Sequence, residues 1–596
     1  MKIWNHNTSN ESLFGLGVKE ATIEIADSNE GPWTLLTDVT LARAPGLPGA
    51  TATDTIPMMG VMASNVRLTV RSSHGGVATA GLAEVQFFYI PASARELQPE
   101  DGAALAGAEV TLAWRGGREA ARHEVYLDVN DNRAGVEGSD PAALVATVTT
   151  DGPYGSYTAS GLNLGKTYVW KIVEINETET PSAWDSDVRT FTTPDYLVVD
   201  DFERYTNESP NRVFQAWIDG LGFSPDESFP KGSAGNGTGS AVGHDPTVGD
   251  IMETVVVHGG KQAMPVAYDN TSVATSEAQY TLPAWDWTAS GIRSLSLFFC
   301  GAAGNTGQLY IKINNTKIPY DGDATDLAMS VWQPWNIDLA STGVNLKAVT
   351  MLGIGIEGSG AKGVVYIDDI RLYAMQAEKF TPTQPTEKPA AYYSFDGDCK
   401  DSSGNARNGT PVGIPTFVAG KNGQALSLGG GDYVTIDNWQ GVLGGNPFTI
   451  SLWVNTTAQD DRTMVCWGTT AGGQRVDFRL YQGRLRVEHG NGNLQGHSAL
   501  ADGQWHHAAL VVTQDAPIQQ PQVTLYLDGV NDSQETTDPD IFNIVANVPV
   551  TIGQRRTNND RSFLGMLDEV QIFERALDAG EVAWLAGRRM PMHKPF

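Results

Sequence analysis

The stretch RVDFRLYQGRLRVEHG, residues 475–490, alternates in period two on both sides of a Gln-Gly pair. Val476, Phe478 and Leu480 fall on one face, Arg475, Asp477 and Arg479 on the other. Beyond Gln482-Gly483, Leu485 and Val487 oppose Arg484, Arg486 and Glu488. This spacing predicts an antiparallel hairpin with one buried and one polar face. With the turn at Gln482-Gly483, Arg479 faces Arg486 and Asp477 faces Glu488. Like charges directly opposite destabilise a hairpin unless diagonal neighbours offset them. Here the diagonals do so: Arg475 and Arg479 flank Asp477, and Arg486 flanks Glu488.

Short alternating segments of this kind recur along the 596 residues, punctuated by 65 Gly and 30 Pro, with few long apolar helical patterns. The expected fold class is all-β, a multi-domain array of β-sandwiches. The length allows several domains of ordinary size. A net charge of −29, from 40 basic and 69 acidic residues, argues against nucleic acid or an anionic membrane as partner. It favours solubility and divalent cations. Cys300, Cys399 and Cys466 are too few for a disulfide framework and lack zinc spacing. The start, MKIWNHNTSN, has no apolar signal-peptide core, and no run reaches membrane-spanning length, so no membrane insertion is expected.

In residues 1–93, KIWNHN, GVKEATIEIADSNEGPWTLL, NVRLTV and GLAEVQFF resemble the C-terminal half of a discoidin (coagulation factor 5/8 C-type) domain. That family has several strands before the KIWNHN-like piece. Their lack predicts a reading frame that begins inside a longer protein, any export signal lying upstream. Trp4 and Trp33 read as packing residues. In residues 96–194, VTLAW, HEVYLDV and SYTASGLNLGKTYVWKIVEIN resemble a fibronectin type III module. Tyr157, Leu162, Tyr168 and Trp170 stand where that family places its core and tyrosine corner. Nothing in this segment carries chemistry.

Residues 195–376 open with YLVVDDFERY and close with VVYIDDIRLY, a bracketing that resembles galactose-binding-like carbohydrate-binding modules. In that fold the first and last strands lie side by side. The resemblance implies that Asp200, Asp201, Glu203, Asp368 and Asp369 meet, often around a structural Ca²⁺. Hard oxygen ligands suit that ion, and crowded carboxylates otherwise repel. The other reading is carboxylates capping backbone amides at a sheet edge. Alternation in LPAWDW puts Trp285 and Trp287 on one face, where aromatic rings would meet the apolar faces of sugars. KGSAGNGTGS lacks the GK[ST] ending of a phosphate loop, and YDGDATD lacks the glycine and terminal Glu of an EF-hand. The Pro- and Thr-rich run at 377–390 reads as a linker.

Residues 391–587 resemble a LamG-like (concanavalin A-like) jelly roll, through AYYSFDGDCKDSSGNARNGT, QALSLGGGDYVTI, PFTISLWVNT, DGQWHHAALVV, VTLYLDGV and FLGMLDEVQIFERAL, in the family's order. Residues 588–596 are left as a C-terminal tail. The resemblance implies a second calcium set, Asp396, Asp401, Asn405 and Asp568, with metal-free turn closure as the other reading. It also implies sugar binding, or catalysis in related glucanases, on the concave sheet face or its rim. The charged side of the 475–488 hairpin is expected to face outward there. Trp453 joins it if Ile450, Leu452 and Val454 point inward. Arginine forks suit carboxylate and sulfate groups, so an acidic polysaccharide is the sharper ligand class. A solvated, self-satisfied ion lattice is the alternative.

As cross-strand partners, Asp477 and Glu488 would have Cβ atoms roughly 4.5–5.5 Å apart. Close carboxylates can serve as acid and base or nucleophile. The flanking arginines should keep both ionised, which is wrong for a general acid. The ExDxxE strand motif of related glucanases is missing, His506 and His507 read as framework, and no Ser-His-Asp, HExxH or Gly-x-Ser-x-Gly arrangement is present. The expectation is a non-catalytic, calcium-stabilised carbohydrate-binding or adhesion protein, secreted or at the cell surface. The alternative is a polysaccharide-degrading enzyme, a glycoside hydrolase or lyase, with its site in the jelly roll or the 195–376 module.

Overall fold

The computed structural model describes residues 1–596 except 60, 62, 90, 246, 248, 491, 516, 519–521 and 535–540. It is all-β, and the chain forms two compact units, residues 1–161 with 166–194 and residues 162–165 with 195–596.

In the first unit, Val18–Ala26 pairs between Thr34–Thr40 and Asn65–Ser73, while Lys2–Asn5 pairs between Asp54–Thr55 and Leu82–Gln86. Ile3, Val18, Ile23 and Leu41 form the core between the two sheets. A second sandwich follows. Glu109–Arg115 pairs with Tyr154–Ser160 and Arg95–Gln98, and Arg122–Val129 pairs with Leu144–Val148 and Thr167–Ile175. Trp114 and Trp170 are buried within it.

The second unit contains two sandwiches. In the first, Tyr196–Asp200 lies antiparallel to Lys362–Tyr373, with Tyr196 opposite Tyr373 and Val198 opposite Arg371. The ends of this segment are therefore adjacent, as its bracketing predicts. Lys362–Tyr373 sits between Met264–Asp269 and Ser294–Cys300, and the facing five-stranded sheet centres on Val349–Glu357.

The C-terminal sandwich has an eight-stranded sheet in which Leu564–Phe573 lies between Gln424–Gly429 and Phe448–Asn455 and also takes Ala391–Tyr393. The opposing seven-stranded sheet ends in Arg462–Gly468, Arg475–Tyr481, Arg484–Glu488 and Asn493–Ala499. Alternation on both sheets sends Ile450, Leu452 and Val454 from one side, and Val476, Phe478, Leu480, Leu485 and Val487 from the other, into one fully buried core. Each such side chain stabilises the fold by about 1.5–3 kcal/mol relative to exposure.

The stretches read as linker and tail are both docked. Lys379–Phe380 pairs with Met592–His593, and Asn336 Nδ2 donates to the Lys594 carbonyl at 2.6 Å. Arg588 forms a buried ion pair with Asp326, tying the end of the chain to the 195–376 sandwich.

Candidate functional site

The 475–488 hairpin has the register that alternation dictates, with Asp477 opposite Glu488 and Arg479 opposite Arg486. Gln482 and Gly483 both take positive φ, 53° and 71°, as a two-residue type I′ turn requires. The apolar side faces the core as expected. On the first strand the charged side does not face open solvent, which corrects the expected placement there, whereas Arg484, Arg486 and Glu488 on the second strand are half-buried. Arg475, Asp477 and Arg479 are 3 %, 0 % and 1 % exposed. The reason is a neighbouring loop, 553–562, whose Arg555 and Arg561 insert among them.

The charges close on one another. Arg475 Nη2 and Arg479 Nη2 each lie 2.6 Å from a Glu488 carboxylate oxygen. Arg479 Nη1 is 3.0 Å from Asp461 Oδ1, and Arg561 Nε is 3.2 Å from Asp461 Oδ2. Arg561 Nη1 is 2.8 Å from Asp477 Oδ2 and 3.4 Å from Glu488 Oε2. Thr463 Oγ1 donates to Asp477 Oδ1 at 2.7 Å, and Arg555 pairs with Asp560 at 2.5 Å. The like-charge pairs of the hairpin are thus relieved both by its own diagonals, Arg475 and Arg479 on Glu488, and by Asp461, Arg555 and Arg561 from outside it. Burial pushes the Glu488 carboxyl up, but Arg479, Arg561 and Arg475 outweigh it and hold it at about 2. Burial raises Asp477 against the Thr463 hydroxyl and the arginines around it.

Beside the hairpin turn lies a cleft of about 560 Å³, lined in part by Gln459, Asp460, Asp461, Arg462, Tyr481 and Arg561. Arg462 holds Asp460 through both carboxylate oxygens, at 2.8 and 2.7 Å. The Tyr481 ring has the Arg486 guanidinium 4.6 Å from its centroid. Arg486 is half-buried, donates to Gln495 Oε1 at 3.3 Å and has no ion pair among the described residues. Arg484 donates instead to the Val255 carbonyl of the other sandwich, at 3.2 Å.

The predicted tryptophans lie elsewhere. Trp453 has the predicted inside-outside alternation, but its strand belongs to the eight-stranded sheet. It packs beside His507 and under Lys421, away from the arginines. Trp287 is fully buried, and of the five tryptophans in 195–376 only Trp285 is half-buried. Trp287 therefore cannot present its ring to a sugar, because it is packed into the core.

The acidic sets come together in part. Asp200 Oδ2 accepts from Tyr205 Oη at 2.6 Å and Trp217 Nε1 at 2.9 Å, and its Oδ1 accepts from the Phe202 amide. Asp201 caps the Glu203 amide, and Glu203 caps those of Lys261 and Gln262. Asp368 Oδ2 accepts from the His258 and Gly259 amides, while Asp369 binds His258 Nδ1 at 2.7 Å and Arg371. In the C-terminal sandwich, Asp401 accepts three backbone N–H groups, Asn405 donates to the Ala390 carbonyl, and Asp396 caps the Gln424 amide. Asp568 Oδ2 caps the Asn422 amide and its Oδ1 the Glu569 amide.

The two last strands share a device. In IDDI and LDEV, the first acid accepts from the next residue's amide at 2.9 and 2.8 Å, and that next residue, Asp369 or Glu569, has φ of 51° or 52°. Burial and the adjacent acid push Asp368 up, and the same two causes push Asp568 up to about 6. Calcium needs about six to eight oxygens turned to one point. Here the oxygens are turned to N–H and O–H donors, and among the described residues no three His, Cys, Asp or Glu side chains are arranged to hold a metal ion. These donor sets do not fit Ca²⁺ as they stand.

His506 bridges Asp528 at 2.7 Å and Asp502 at 3.2 Å, and His507 Nε2 meets Ser451 Oγ at 2.9 Å, all within the framework of the eight-stranded sheet. Asp461, Arg555 and Arg561 escaped the sequence reading. The signal for Arg555 and Arg561 was the charged run QRRTNNDRS between two strands, and for Asp461 the pair in QDDRT, which alternation alone does not place over any face.

A comparison with curated proteins finds no match. Solved structures with partial likeness include domain 4 of AbnA, a GH43 extracellular arabinanase from Geobacillus stearothermophilus, in complex with arabinotriose. It is 27 % identical over 33 % of this chain and 98 % of its own, with a TM-score of 0.28. A carbohydrate-binding module of the β-sandwich superfamily is 13 % identical over 47 % of this chain and 96 % of its own, at 0.19. The botulinum neurotoxin serotype G binding domain is 14 % identical over 33 % of this chain and half of its own, at 0.24. Within the C-terminal sandwich, residues 428–583 match the family model of the concanavalin A-like lectin/glucanases superfamily, of the laminin G type.

Proposed function

We propose that this chain is a non-catalytic carbohydrate-binding protein, acting outside the cell in the secreted or surface-bound state, with its principal ligand site in the cleft beside Tyr481. The observation that carries the reading is the composition of that cleft within a sandwich matched to a lectin and glucanase family. One half-buried aromatic ring stands next to two carboxylates, two guanidiniums and the Gln459 amide. A ring suits the C–H face of a sugar, and the polar groups suit its hydroxyls.

Acidic polysaccharide is favoured by one group, Arg486. Its guanidinium lies over the ring of Tyr481, a residue of the cleft wall, and has no ion pair among the described residues, whereas Arg475 and Arg479 are already spent on carboxylates. Catalysis by Asp477 and Glu488 draws no support. Asp477 is inaccessible, and a carboxyl held at about 2 does not supply a proton as a general acid near neutral pH. Calcium is not part of this reading.

Titration calorimetry of the full chain with neutral, uronic and sulfated oligosaccharides tests it. Binding that is lost in Tyr481→Ala supports the cleft, and binding of the acidic members that weakens in Arg486→Gln supports the acidic class. No binding by any oligosaccharide ends the reading. Release of reducing ends from the same sugars would replace it with the enzymatic alternative.

A further inference from the structure

Four of the charges at the site form a closed ring of alternating sign. Arg479 reaches Asp461 at 3.0 Å, Asp461 reaches Arg561 at 3.2 Å, Arg561 reaches Glu488 at 3.4 Å, and Glu488 returns to Arg479 at 2.6 Å. Asp461 and Arg561 line the cleft, whereas Arg479 and Glu488 do not. Arg479 is almost wholly buried and cannot touch a ligand in the cleft. Its fork is divided: one nitrogen holds the Asp461 wall and the other holds Glu488, which in turn faces Arg561. Guanidinium geometry is planar and preorganised, so one side chain fixes both acids at a defined separation.

We infer that Arg479 is a positioning residue of the cleft, setting the orientation of Asp461 for the ligand. The inference rests on the carbohydrate reading above. Asp461 uses one oxygen on Arg479 and the other on Arg561. Each carboxylate oxygen has a further lone pair, which is available to a sugar hydroxyl only while the carboxylate stays in this plane. A ligand that finds this wall already oriented does not lose affinity to ordering it.

The experiment is a double-mutant cycle on affinity, in the full chain, using the tightest oligosaccharide from the calorimetric panel. The variants are Arg479→Lys, Asp461→Asn and the pair. Lysine keeps the positive charge between Asp477 and Glu488, so the fold retains its compensation, and circular dichroism melting confirms it. It cannot fork to both acids. Loss of one charge-assisted contact predicts about a ten-fold weaker Kd for each single variant. If Arg479 acts through Asp461, the pair binds no worse than Asp461→Asn alone. A purely structural contribution would instead multiply the two losses, and that result overturns the inference. Wild-type affinity in Arg479→Lys overturns it too, and leaves the carbohydrate reading standing. No binding by the wild-type chain removes both.

Discussion

Arg479 Nη2 meets Glu488 Oε2 at 2.6 Å, diagonally across a hairpin in which Arg479 stands directly opposite Arg486 and Glu488 opposite Asp477. The diagonal contact is what makes two like-charged cross-strand pairs tolerable. Because the contact is buried, its removal is costly. Replacing Arg479 by Met leaves Asp477 and Glu488 short of their shared counter-charge inside the sheet. Breaking a buried ion pair by removing one partner costs about 3–5 kcal/mol. Urea denaturation of Arg479→Met should show a loss of that order, and a loss below about 1 kcal/mol would mark the lattice as solvated decoration.

Glu488 sets an acid limit. Its folded-state value, about 2, lies below an unfolded value of about 4.3. Its contribution is therefore complete above about pH 4.3 and is lost as pH falls toward 2. The shift corresponds to a contribution on the order of 3 kcal/mol at neutral pH. Asp568 has the opposite sign: its value is raised to about 6, so its contribution declines as pH rises from about 3.9 toward 6. Denaturant midpoints measured from pH 2 to 7 should fall less steeply below pH 4.3 in Glu488→Gln than in the wild type. Parallel curves would remove Glu488 from the acid response.

Chelation should leave the melting temperature of the full chain unchanged, within about 1 °C on the scale by which 1 kcal/mol moves a domain several degrees. The carboxylates predicted as calcium ligands are engaged by backbone and side-chain donors. A fall of several degrees in EDTA, reversed by CaCl₂, would show that these acids reorient around an ion.

Arg588 and Asp326 are 262 positions apart and form a buried pair, to which Tyr320 Oη adds a 2.6 Å hydrogen bond. In Arg588→Ala the Asp326 carboxylate stays buried without its cation, a cost of about 3–5 kcal/mol. Calorimetry should then resolve separate transitions for the two sandwiches of the second unit. A single transition identical to wild type would deny the chain end any clamping role.

Much of the fold was legible in local pattern. Alternation in RVDFRLYQGRLRVEHG determines the hairpin, its turn and its register, because a period of two leaves one way to bury Phe478 and Val487 together. The acids of IDDI and LDEV were legible as paired strand-end acids, but that the second of each pair turns its own amide onto the preceding carboxylate is a finding of the structure. Tertiary structure alone decided which outer face each residue joins and what covers it. Trp453 obeys its alternation yet stands on the other sheet, since alternation distinguishes inside from outside but not one outer face from the other. Arg475 and Arg479 were readable as a charged row. Whether that row, with Asp477, met solvent or was covered depended on Arg555 and Arg561, on a loop more than 70 residues further along the chain. Ion pairing acts through space at a few ångströms, and no sequence spacing encodes that distance.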